Sequence, residues 1–154
     1  PLTYCPDNPV TRAEMAVFLE RGIHGATYTP PTVDLAFSDT AGHWARYWIE
    51  GLYRDGITAG CGTNPLAYCP QAPTTRAQMA IFLLRGKWGA NYTPPTASGT
   101  MFNDVPAGYW AAGWIEELGR EGIAAGCGNG AYCPAQPVSR AEMAAFLVKT
   151  FNLP

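Results

Sequence analysis

The sequence is poor in charge and lacks long apolar runs. Only 14% of its 154 residues are Asp, Glu, Lys or Arg, against about 25% in an ordinary soluble domain. The net charge of −2 is spread over both signs without a basic patch, which argues against a nucleic-acid-binding protein. No apolar run approaches the roughly 20 residues that span a bilayer, so we expect no membrane insertion. With 47% hydrophobic residues, the chain still has enough apolar side chains for a packed core.

Histidine is scarce, and the patterns of common catalytic sites are missing. The two histidines, His24 and His43, lie far from any cysteine, and no Cys-x-x-Cys pair occurs, so a zinc site is poorly supported. There is no glycine-rich phosphate loop followed by Lys-Ser/Thr and no nucleophile in a strained turn. We therefore expect no enzyme activity, no metal and no cofactor in this chain. The sequence leaves open whether a longer parent protein has a catalytic domain upstream of this chain.

Five cysteines point to a disulfide framework, a zinc site or a redox pair. Between Cys127 and Cys133, the dipeptide Asn129-Gly130 favours a tight hairpin. Closing so short a loop with a disulfide stabilises the fold by about 2–3 kcal/mol. We predict this disulfide and a slightly longer version between Cys61 and Cys69, with a redox role as the alternative. Because disulfides persist in oxidising compartments, the chain is expected to be extracytoplasmic.

Internal repetition dominates the chain. The tripeptide Tyr-Cys-Pro occurs three times at a constant spacing, beginning at Tyr4, Tyr68 and Tyr132. A second motif, Thr/Ser-Arg-Ala-Glu/Gln-Met, recurs at the same spacing, beginning at Thr11, Thr75 and Ser139. A third block, Phe-x-Asp followed by Trp-Ala and Trp-Ile-Glu, occurs twice, beginning at Phe37 and Phe102. The chain is therefore expected to hold half a unit followed by two full units.

These repeats divide the chain into five segments. The predicted order is a truncated unit, a Pro/Thr spacer, a full unit, a second spacer and a second full unit, at residues 1–25, 26–36, 37–88, 89–101 and 102–154. The double prolines of the spacers favour an extended conformation, and Asn91 begins an N-glycosylation pattern whose use is left open. Cys5 stands where Cys69 and Cys133 stand in their units. Its partner is therefore expected before residue 1 of a longer natural protein, whose C-terminus we place at the end of this chain.

Each full unit is predicted to form a helix, a disulfide-closed loop and a second helix. The first helix carries apolar residues at i, i+4, i+5 and i+8, which indicates one buried face. Its predicted limits are Trp44–Gly56 in one unit and Trp110–Gly122 in the next. The second helix begins at a capping box and is expected to end at Gly22 in the truncated unit and at Gly86 in the first full unit. The fold class is therefore all-α.

The arginine that follows the capping hydroxyl is the most informative residue of each unit. Arg12, Arg76 and Arg140 meet the positive end of a helix dipole, which costs a few tenths to about 1 kcal/mol. A negative group is expected to compensate, because free N–H groups and a guanidinium together form a site for an anion such as a carboxylate. The alternative is an internal ion pair with Asp39 or Asp104 of a neighbouring unit.

Four tryptophans lie at helical spacing: Trp44, Trp48, Trp110 and Trp114. Most such stripes belong to the core, and this is the preferred interpretation. The alternative is that a ring stacks on a sugar. Trp44 and Trp110 are the better candidates for stacking, because they stand at the helix start near the aspartates.

Taken together, the motifs resemble the S-layer homology (SLH) repeat. The resemblance rests on Phe-x-Asp, His/Tyr-Trp-Ala, Ile-Glu-x-Leu, Gly-Ile, a glycine-rich turn and Thr/Ser-Arg-Ala-Glu/Gln-Met, and it covers nearly the whole chain apart from the spacers. It implies tandem helix-loop-helix repeats in a pseudo-threefold helical spindle, with one helix of each repeat in a central bundle and, in this variant, disulfide-closed loops. Cysteines replace the tyrosine and arginine that the family usually has in the turn.

The resemblance also implies a function. SLH modules dock non-covalently onto secondary cell-wall polysaccharide, often through a pyruvylated amino sugar. The residues that correspond to the ligand-binding positions are Arg12, Arg76, Arg140, Asp39, Asp104, Trp44 and Trp110. We therefore predict a non-catalytic, extracellular anchoring module of a larger exported bacterial surface protein, which binds an anionic cell-envelope polysaccharide. The alternative is a structural module that associates with copies of itself into an S-layer, sheath or filament, with the spacers and an unpaired Cys5 at the contacts.

Overall fold

The computed structural model describes residues 2–154, so residue 1 of the predicted segment 1–25 lies outside the described residues. The five helices are α1 (Arg12–His24), α2 (Arg46–Arg54), α3 (Arg76–Trp88), α4 (Ala112–Arg120) and α5 (Arg140–Phe151). Within residues 2–154 the only sheet is a short antiparallel hairpin of β1 (Gly62–Thr63) and β2 (Leu66–Ala67). The helical fold class is as predicted. None of the helices in this part of the chain has the length and apolar character needed to cross a membrane.

The long helices α1, α3 and α5 begin at the predicted capping boxes. In each box, a hydroxyl accepts a hydrogen bond from the N–H of the third helical residue, whose side chain accepts one from the N–H of the capping residue. The pairs are Thr11 with Glu14, Thr75 with Gln78 and Ser139 with Glu142. Glutamine serves this purpose as well as glutamate, because the side-chain oxygen of either accepts the hydrogen bond.

The long helices α1 and α3 continue past the glycines that were predicted to end them. Gly22 and Gly86 lie inside these helices, and Gly25 and Gly89 cap the ends instead. A Cβ added at Gly22 would lie 2.5 Å from a ring carbon of Phe151, and one added at Gly86 would lie 3.3 Å from the same ring. The two glycines therefore let Phe151 of α5 approach both helices closely. The predicted ends are wrong because glycine here serves packing.

The short helices follow the prediction more closely at their ends than at their starts. Gly56 and Gly122 come directly after the C-caps of α2 and α4, with φ of 72° and 69°. Such positive values suit glycine, which has no Cβ to clash with the backbone. At the other end, Trp44 and Trp110 each stand two residues before the first helical residue. The two tryptophans are therefore not part of the helical stripe.

The three long helices contact one another and form the centre of the molecule, while α2 packs against α1 and α4 packs against α3. Each long helix contributes a methionine and a leucine or phenylalanine, one turn further on, to the core. These buried pairs are Met15 and Leu19, Met79 and Leu83, and Met143 and Phe146. The repeated Met-x-x-Phe-Leu pattern therefore lines one shared core.

A closed ring of backbone hydrogen bonds joins the three units just before their long helices. The Val10 N–H donates to the carbonyl of Val138 at 2.8 Å, the Val138 N–H donates to Thr74 at 2.9 Å, and the Thr74 N–H donates to Val10 at 2.9 Å. All three residues are completely buried. Each unit therefore contacts both others, and the ring gathers the starts of the three long helices at one end of the bundle.

Both predicted disulfides are present, Cys61–Cys69 and Cys127–Cys133. In the shorter loop, Asn129 and Gly130 have φ of 51° and 74°, the positive values that a two-residue type I′ turn requires. The N–H of Ala131 closes the turn by donating to the carbonyl of Gly128 at 2.9 Å. The predicted tight hairpin is confirmed. Cys5 is a free and exposed thiol in the described part of the chain.

Candidate functional site

Each helix-start arginine lies in a seam, the contact between the start of a long helix and the Tyr-Cys-Pro turn of another unit. The arginine Nε donates to the carbonyl of the turn tyrosine at 2.8–2.9 Å, and the tyrosine hydroxyl donates back to the arginine carbonyl at 2.8–3.1 Å. The guanidinium carbon lies 4.6–5.1 Å from the centre of the tyrosine ring, a cation–π contact. The pairs are Arg12 with Tyr68, Arg76 with Tyr132 and Arg140 with Tyr4.

Backbone N–H groups at the helix starts are already occupied. The N–H of Arg12 donates to the carbonyl of Ala72 at 2.8 Å, and the N–H of Ala13 donates to Pro70 at 3.0 Å. The first two residues of α3 and α5 make the equivalent bonds to the turn of another unit. The expectation that free N–H groups contribute to an anion site is therefore wrong, because neighbouring carbonyls satisfy them. Any anion bound here depends on the guanidinium.

Two of the three arginines have a counter-charge within the fold. Arg76 Nη1 lies 2.5 Å from Glu142 Oε1, and Arg140 Nη1 lies 3.2 Å from Glu14 Oε1. Both glutamates are the capping-box residues of another long helix. In the remaining seam the equivalent residue is Gln78, and Arg12 forms no salt bridge with any residue in the range 2–154. Internal ion pairs are therefore present in two seams, but they are formed by glutamates and not by the aspartates that we considered.

The aspartates proposed as counter-charges have another role. Asp39 accepts hydrogen bonds from the backbone N–H groups of Tyr68 and Cys69 at 2.8 and 2.7 Å. Asp104 accepts the equivalent pair in the last unit at 2.7 and 2.8 Å. The idea that these aspartates form the ion pairs is wrong, since each carboxylate is directed at the Tyr-Cys turn. They fix the turn whose tyrosine receives the arginine.

Arg12 is buried but incompletely bonded. The residue is only 4% exposed, and its Nη2 is enclosed without a hydrogen-bond partner. Burial lowers the pKa of Arg12, while the nearby Tyr68 and Asp39 act in the opposite direction. A buried donor without an acceptor costs about 1–3 kcal/mol, and more when the group is charged. Arg12 therefore retains a hydrogen-bonding capacity that no other residue in the range 2–154 uses.

A cavity of about 210 Å³ opens beside Arg12. Gln78 and Arg85 of α3 form part of its wall, and Trp110 of the last unit forms another part. The wall also includes residues 57–60, which directly precede the loop closed by the Cys61–Cys69 disulfide. Arg12 and Trp110 are far apart in the sequence, and the fold brings them to the same concavity. A guanidinium and an aromatic ring can together contact an anionic sugar.

The assignment of the tryptophans to the core is wrong for two of the four. Trp44 and Trp110 are 64% and 61% exposed, whereas Trp48 and Trp114 pack partly buried against the core. The exposed pair lie outside the helices, because α2 and α4 begin two residues later. They are the two that we considered for sugar stacking. Trp110 lines the cavity beside Arg12, whereas Trp44 has the ring of His43 as a neighbour at 5.5 Å.

The turn tyrosines are seam residues that the sequence analysis did not identify. Tyr68 and Tyr132 are completely buried, and burial raises the pKa of both hydroxyls. Tyr4, in the first of the three turns, is 53% exposed. The threefold recurrence of Tyr-Cys-Pro was the available signal. The recurrence alone did not indicate a role, because each tyrosine contacts an arginine that is distant from it in the sequence.

Comparison with known proteins identifies a domain in the last part of the chain. The model of the S-layer homology domain matches residues 102–144, a range that includes Asp104, Trp110 and Arg140. The chain contains an S-layer homology domain. This finding confirms the predicted resemblance.

Several relatives extend the similarity to the rest of the chain. The chain is 42% identical over 62 residues to the S-layer protein EA1 of Bacillus anthracis, which covers 40% of the chain and 7% of that protein. It is 33% identical over 113 residues to the cellulosome-anchoring protein of Acetivibrio thermocellus, covering 71% of the chain and 24% of that protein. It is 30% identical over 149 residues to an amylopullulanase of Thermoanaerobacterium thermosulfurigenes, covering 94% of the chain and 8% of that protein.

The S-layer homology domain and these relatives indicate an extracellular, cell-surface location, as predicted. The chain spans less than a quarter of the length of each of the three relatives.

Proposed function

We propose that this chain is an anchoring module that holds an exported protein on the bacterial cell wall by binding an anionic polysaccharide, with the Arg12 seam as the ligand site. The S-layer homology domain supports the anchoring role. One similar protein is named for anchoring the cellulosome, and another is named as an S-layer protein. Binding by this chain is non-catalytic in our proposal.

The same proposal includes the pseudo-threefold spindle that the family resemblance implies. The backbone ring of Val10, Thr74 and Val138 supports it, since the three residues occupy equivalent positions in the three units. The mutual contacts of α1, α3 and α5 support it as well. In this arrangement each seam joins two units, and the seams are equivalent apart from the residues that differ between the units.

The unpartnered Nη2 of the buried Arg12 is the observation that carries the ligand site. A carboxylate would accept its hydrogen bond in the charge-assisted geometry that arginine favours. Trp110 lines the same cavity and offers an aromatic face to a sugar ring. A polysaccharide that bears carboxylates, such as one with a pyruvyl-substituted amino sugar, meets both requirements. The site therefore selects for an acidic sugar over a neutral one.

Arg76 and Arg140 are weaker candidates than Arg12 for binding the ligand. Each already pairs with a glutamate, so an incoming carboxylate has to displace one that the fold holds in place. Asp39 and Asp104 are occupied by backbone N–H groups of the turns. We propose that these four residues hold the seams together. Trp44 remains a candidate for stacking on a sugar because it is exposed.

Two relatives carry enzyme names, the amylopullulanase and an uncharacterized cell wall amidase of Bacillus anthracis. The chain corresponds to 8% and 21% of their lengths, respectively. The enzyme names refer to those whole proteins. Binding alone is proposed for the chain described here.

Co-sedimentation with purified bacterial cell walls tests the proposal. We expect the chain to sediment with intact walls and to stay in solution with walls stripped of their polysaccharide. Arg12→Gln is expected to weaken binding at least tenfold, whereas Arg140→Gln, the matched control in the most exposed seam, should retain it. Equal binding to stripped walls would contradict the proposal. Polymers that form with increasing concentration and without glycan would support the self-associating alternative instead.

A further inference from the structure

A second polar cluster lies between α1 and α2, at the opposite end of α1 from Arg12. Glu20 and His24 are one helical turn apart on α1, and Asp55 is the residue that caps the end of α2. His24 Nε2 lies 2.8 Å from Asp55 Oδ2 and 3.8 Å from Glu20 Oε2. One potential ligand atom from each residue lies within 4.8 Å of the other two. At a rise of about 1.5 Å per residue, the cluster is roughly 12–18 Å from Arg12 along the helix.

Glu20 has no partner that explains its burial. Its side chain is completely inaccessible, and neither carboxylate oxygen accepts a hydrogen bond from any residue that the structure describes. Gly51 of α2 makes room for it, since a Cβ at that position would lie 2.6 Å from Glu20 Oε2. Burial, followed by the nearby charge of Asp55, raises the pKa of Glu20 to about 8. The nearby cation Arg54 donates its Nε to the carbonyl of Glu50 at 3.4 Å and forms no hydrogen bond with Glu20.

The equivalent positions of the next unit hold no such cluster. Leu84 stands in α3 where Glu20 stands in α1, and it is completely buried in the apolar core. The ends of α3 and α4 are joined through Glu121, which accepts hydrogen bonds from Trp88 and from Lys87 at 2.7 Å each. A buried carboxylate at this place is therefore specific to the contact between α1 and α2. It is not required by the fold of the repeat.

We propose that Glu20, His24 and Asp55 form a binding site for a divalent transition-metal ion such as Zn²⁺. Imidazole and carboxylate ligands suit this class of ion, whereas Ca²⁺ and Mg²⁺ prefer oxygen ligands alone. Bonds of about 2.0–2.2 Å in a tetrahedral site place the ligand atoms about 3.3–3.6 Å apart. The observed separations of 2.8 and 3.8 Å lie on either side of that value.

The geometry of this metal site ties two units together. Glu20 and His24 come from α1 and Asp55 follows α2 in the next unit, so a bound ion would join α1 to α2. The ion would also compensate the buried carboxylate of Glu20. His24 and Asp55 are 34% and 35% exposed, which gives the ion access from solvent and leaves the fourth coordination position to water. The site is independent of the Arg12 seam and of the proposed polysaccharide binding.

Calorimetric titration of the whole chain with zinc chloride alone tests this inference. The exposed thiol of Cys5 is itself a potential zinc ligand, so every protein in the series carries Cys5→Ser. We expect one ion to bind per chain, and Glu20→Leu and His24→Gln to weaken binding at least tenfold. Glu20→Leu is chosen because Leu84 stands at the equivalent place. The matched control is His43→Tyr, since Tyr109 occupies that position in the last unit.

Thermal unfolding of the same proteins separates a metal site from a general effect on the fold. Zinc is expected to raise the melting temperature of the Cys5→Ser protein and of the His43→Tyr control, because a ligand that binds only the native state stabilises it. The Glu20→Leu and His24→Gln variants should show no such rise. Absence of zinc binding to the Cys5→Ser protein would overturn the proposal. Binding that survives in both site variants, or that is equally lost in the control, would also overturn it.

Discussion

The Arg12 and Arg76 seams share the contacts between arginine and tyrosine and differ in whether a carboxylate pairs with the guanidinium. In both seams a buried guanidinium, 4% and 2% exposed, donates its Nε at 2.8 Å to the carbonyl of a turn tyrosine and lies over that tyrosine ring. Arg76 also pairs with Glu142, whereas the equivalent residue in the Arg12 seam is Gln78. Arg76 therefore has a carboxylate acceptor within the fold, whereas Arg12 has none among residues 2–154.

The Arg140 seam adds a third case, in which the ion pair is present but open to water. The side chains of Arg140 and Glu14 are 25% and 32% exposed, and their contact is 3.2 Å long. The turn tyrosine of this seam is also exposed. Because solvent screens an exposed pair, its contribution to stability is small. The three seams therefore form a series. Arg12 is buried and unpaired, Arg76 is buried and paired, and Arg140 is paired but partly exposed.

The largest expected effect is on stability. Arg76→Met should lower the free energy of unfolding by about 2–3 kcal/mol, since the buried carbonyl of Tyr132 loses its donor and Glu142 loses its counter-charge. Arg12→Met should cost less, below about 1.5 kcal/mol, because it also removes a nitrogen that has no acceptor. Urea denaturation of both variants measures the difference. Equal losses would mean that the missing carboxylate has no energetic consequence.

An intermediate effect is expected when the unpaired seam is given the missing carboxylate. Gln78→Glu keeps the capping box, as Glu14 and Glu142 show in the other units. It should raise the free energy of unfolding by about 1 kcal/mol through a charge-assisted hydrogen bond. It should also weaken binding to cell walls at least tenfold, since the new carboxylate competes with the ligand. Gln78→Ala, which adds no charge, is the control and should leave the wall binding within threefold of the unchanged protein.

The smallest expected effect concerns the exposed pair. Glu14→Gln also preserves a capping box, because Gln78 performs that role in α3. Its cost in unfolding free energy should be about 0.5 kcal/mol or less, as for other solvent-exposed pairs. Chemical denaturation at low and high salt measures it, and the effect should shrink further as salt increases. A loss as large as that of Arg76→Met would show that the exposure of an ion pair does not determine its contribution to the free energy of unfolding.

Features set by a few neighbouring residues could be predicted from the sequence. The capping boxes are decided by residues three positions apart, and the tight hairpin by Asn129-Gly130 between two cysteines. Features that depend on which surfaces meet were missed. Gly22 ends no helix because Phe151 packs against it. Trp110 is exposed because α4 begins after it.

The candidate site shows the same limit. Arg12, Arg76 and Arg140 were identified from their unusual position at helix starts, which is a local property. Their partners were assigned to the wrong residues, because nothing local indicates that a capping glutamate of one helix reaches the arginine of another. Gln78 was visible as a departure from the repeat. The consequence of this departure, an arginine without a carboxylate partner, becomes visible only when the fold places Gln78 beside Arg12.

The most direct measurement is an NMR titration of the arginine side-chain Nε–Hε signals with a pyruvyl-substituted amino sugar. The signals of Arg12, Arg76 and Arg140 are assigned beforehand from single arginine-to-lysine variants. We predict that the Arg12 signal shifts and saturates as the sugar is added, while the signals of Arg76 and Arg140 stay in place. Equal shifts of all three signals, or a saturating shift of Arg76 alone, would contradict the claim that the missing carboxylate makes the Arg12 seam the ligand site.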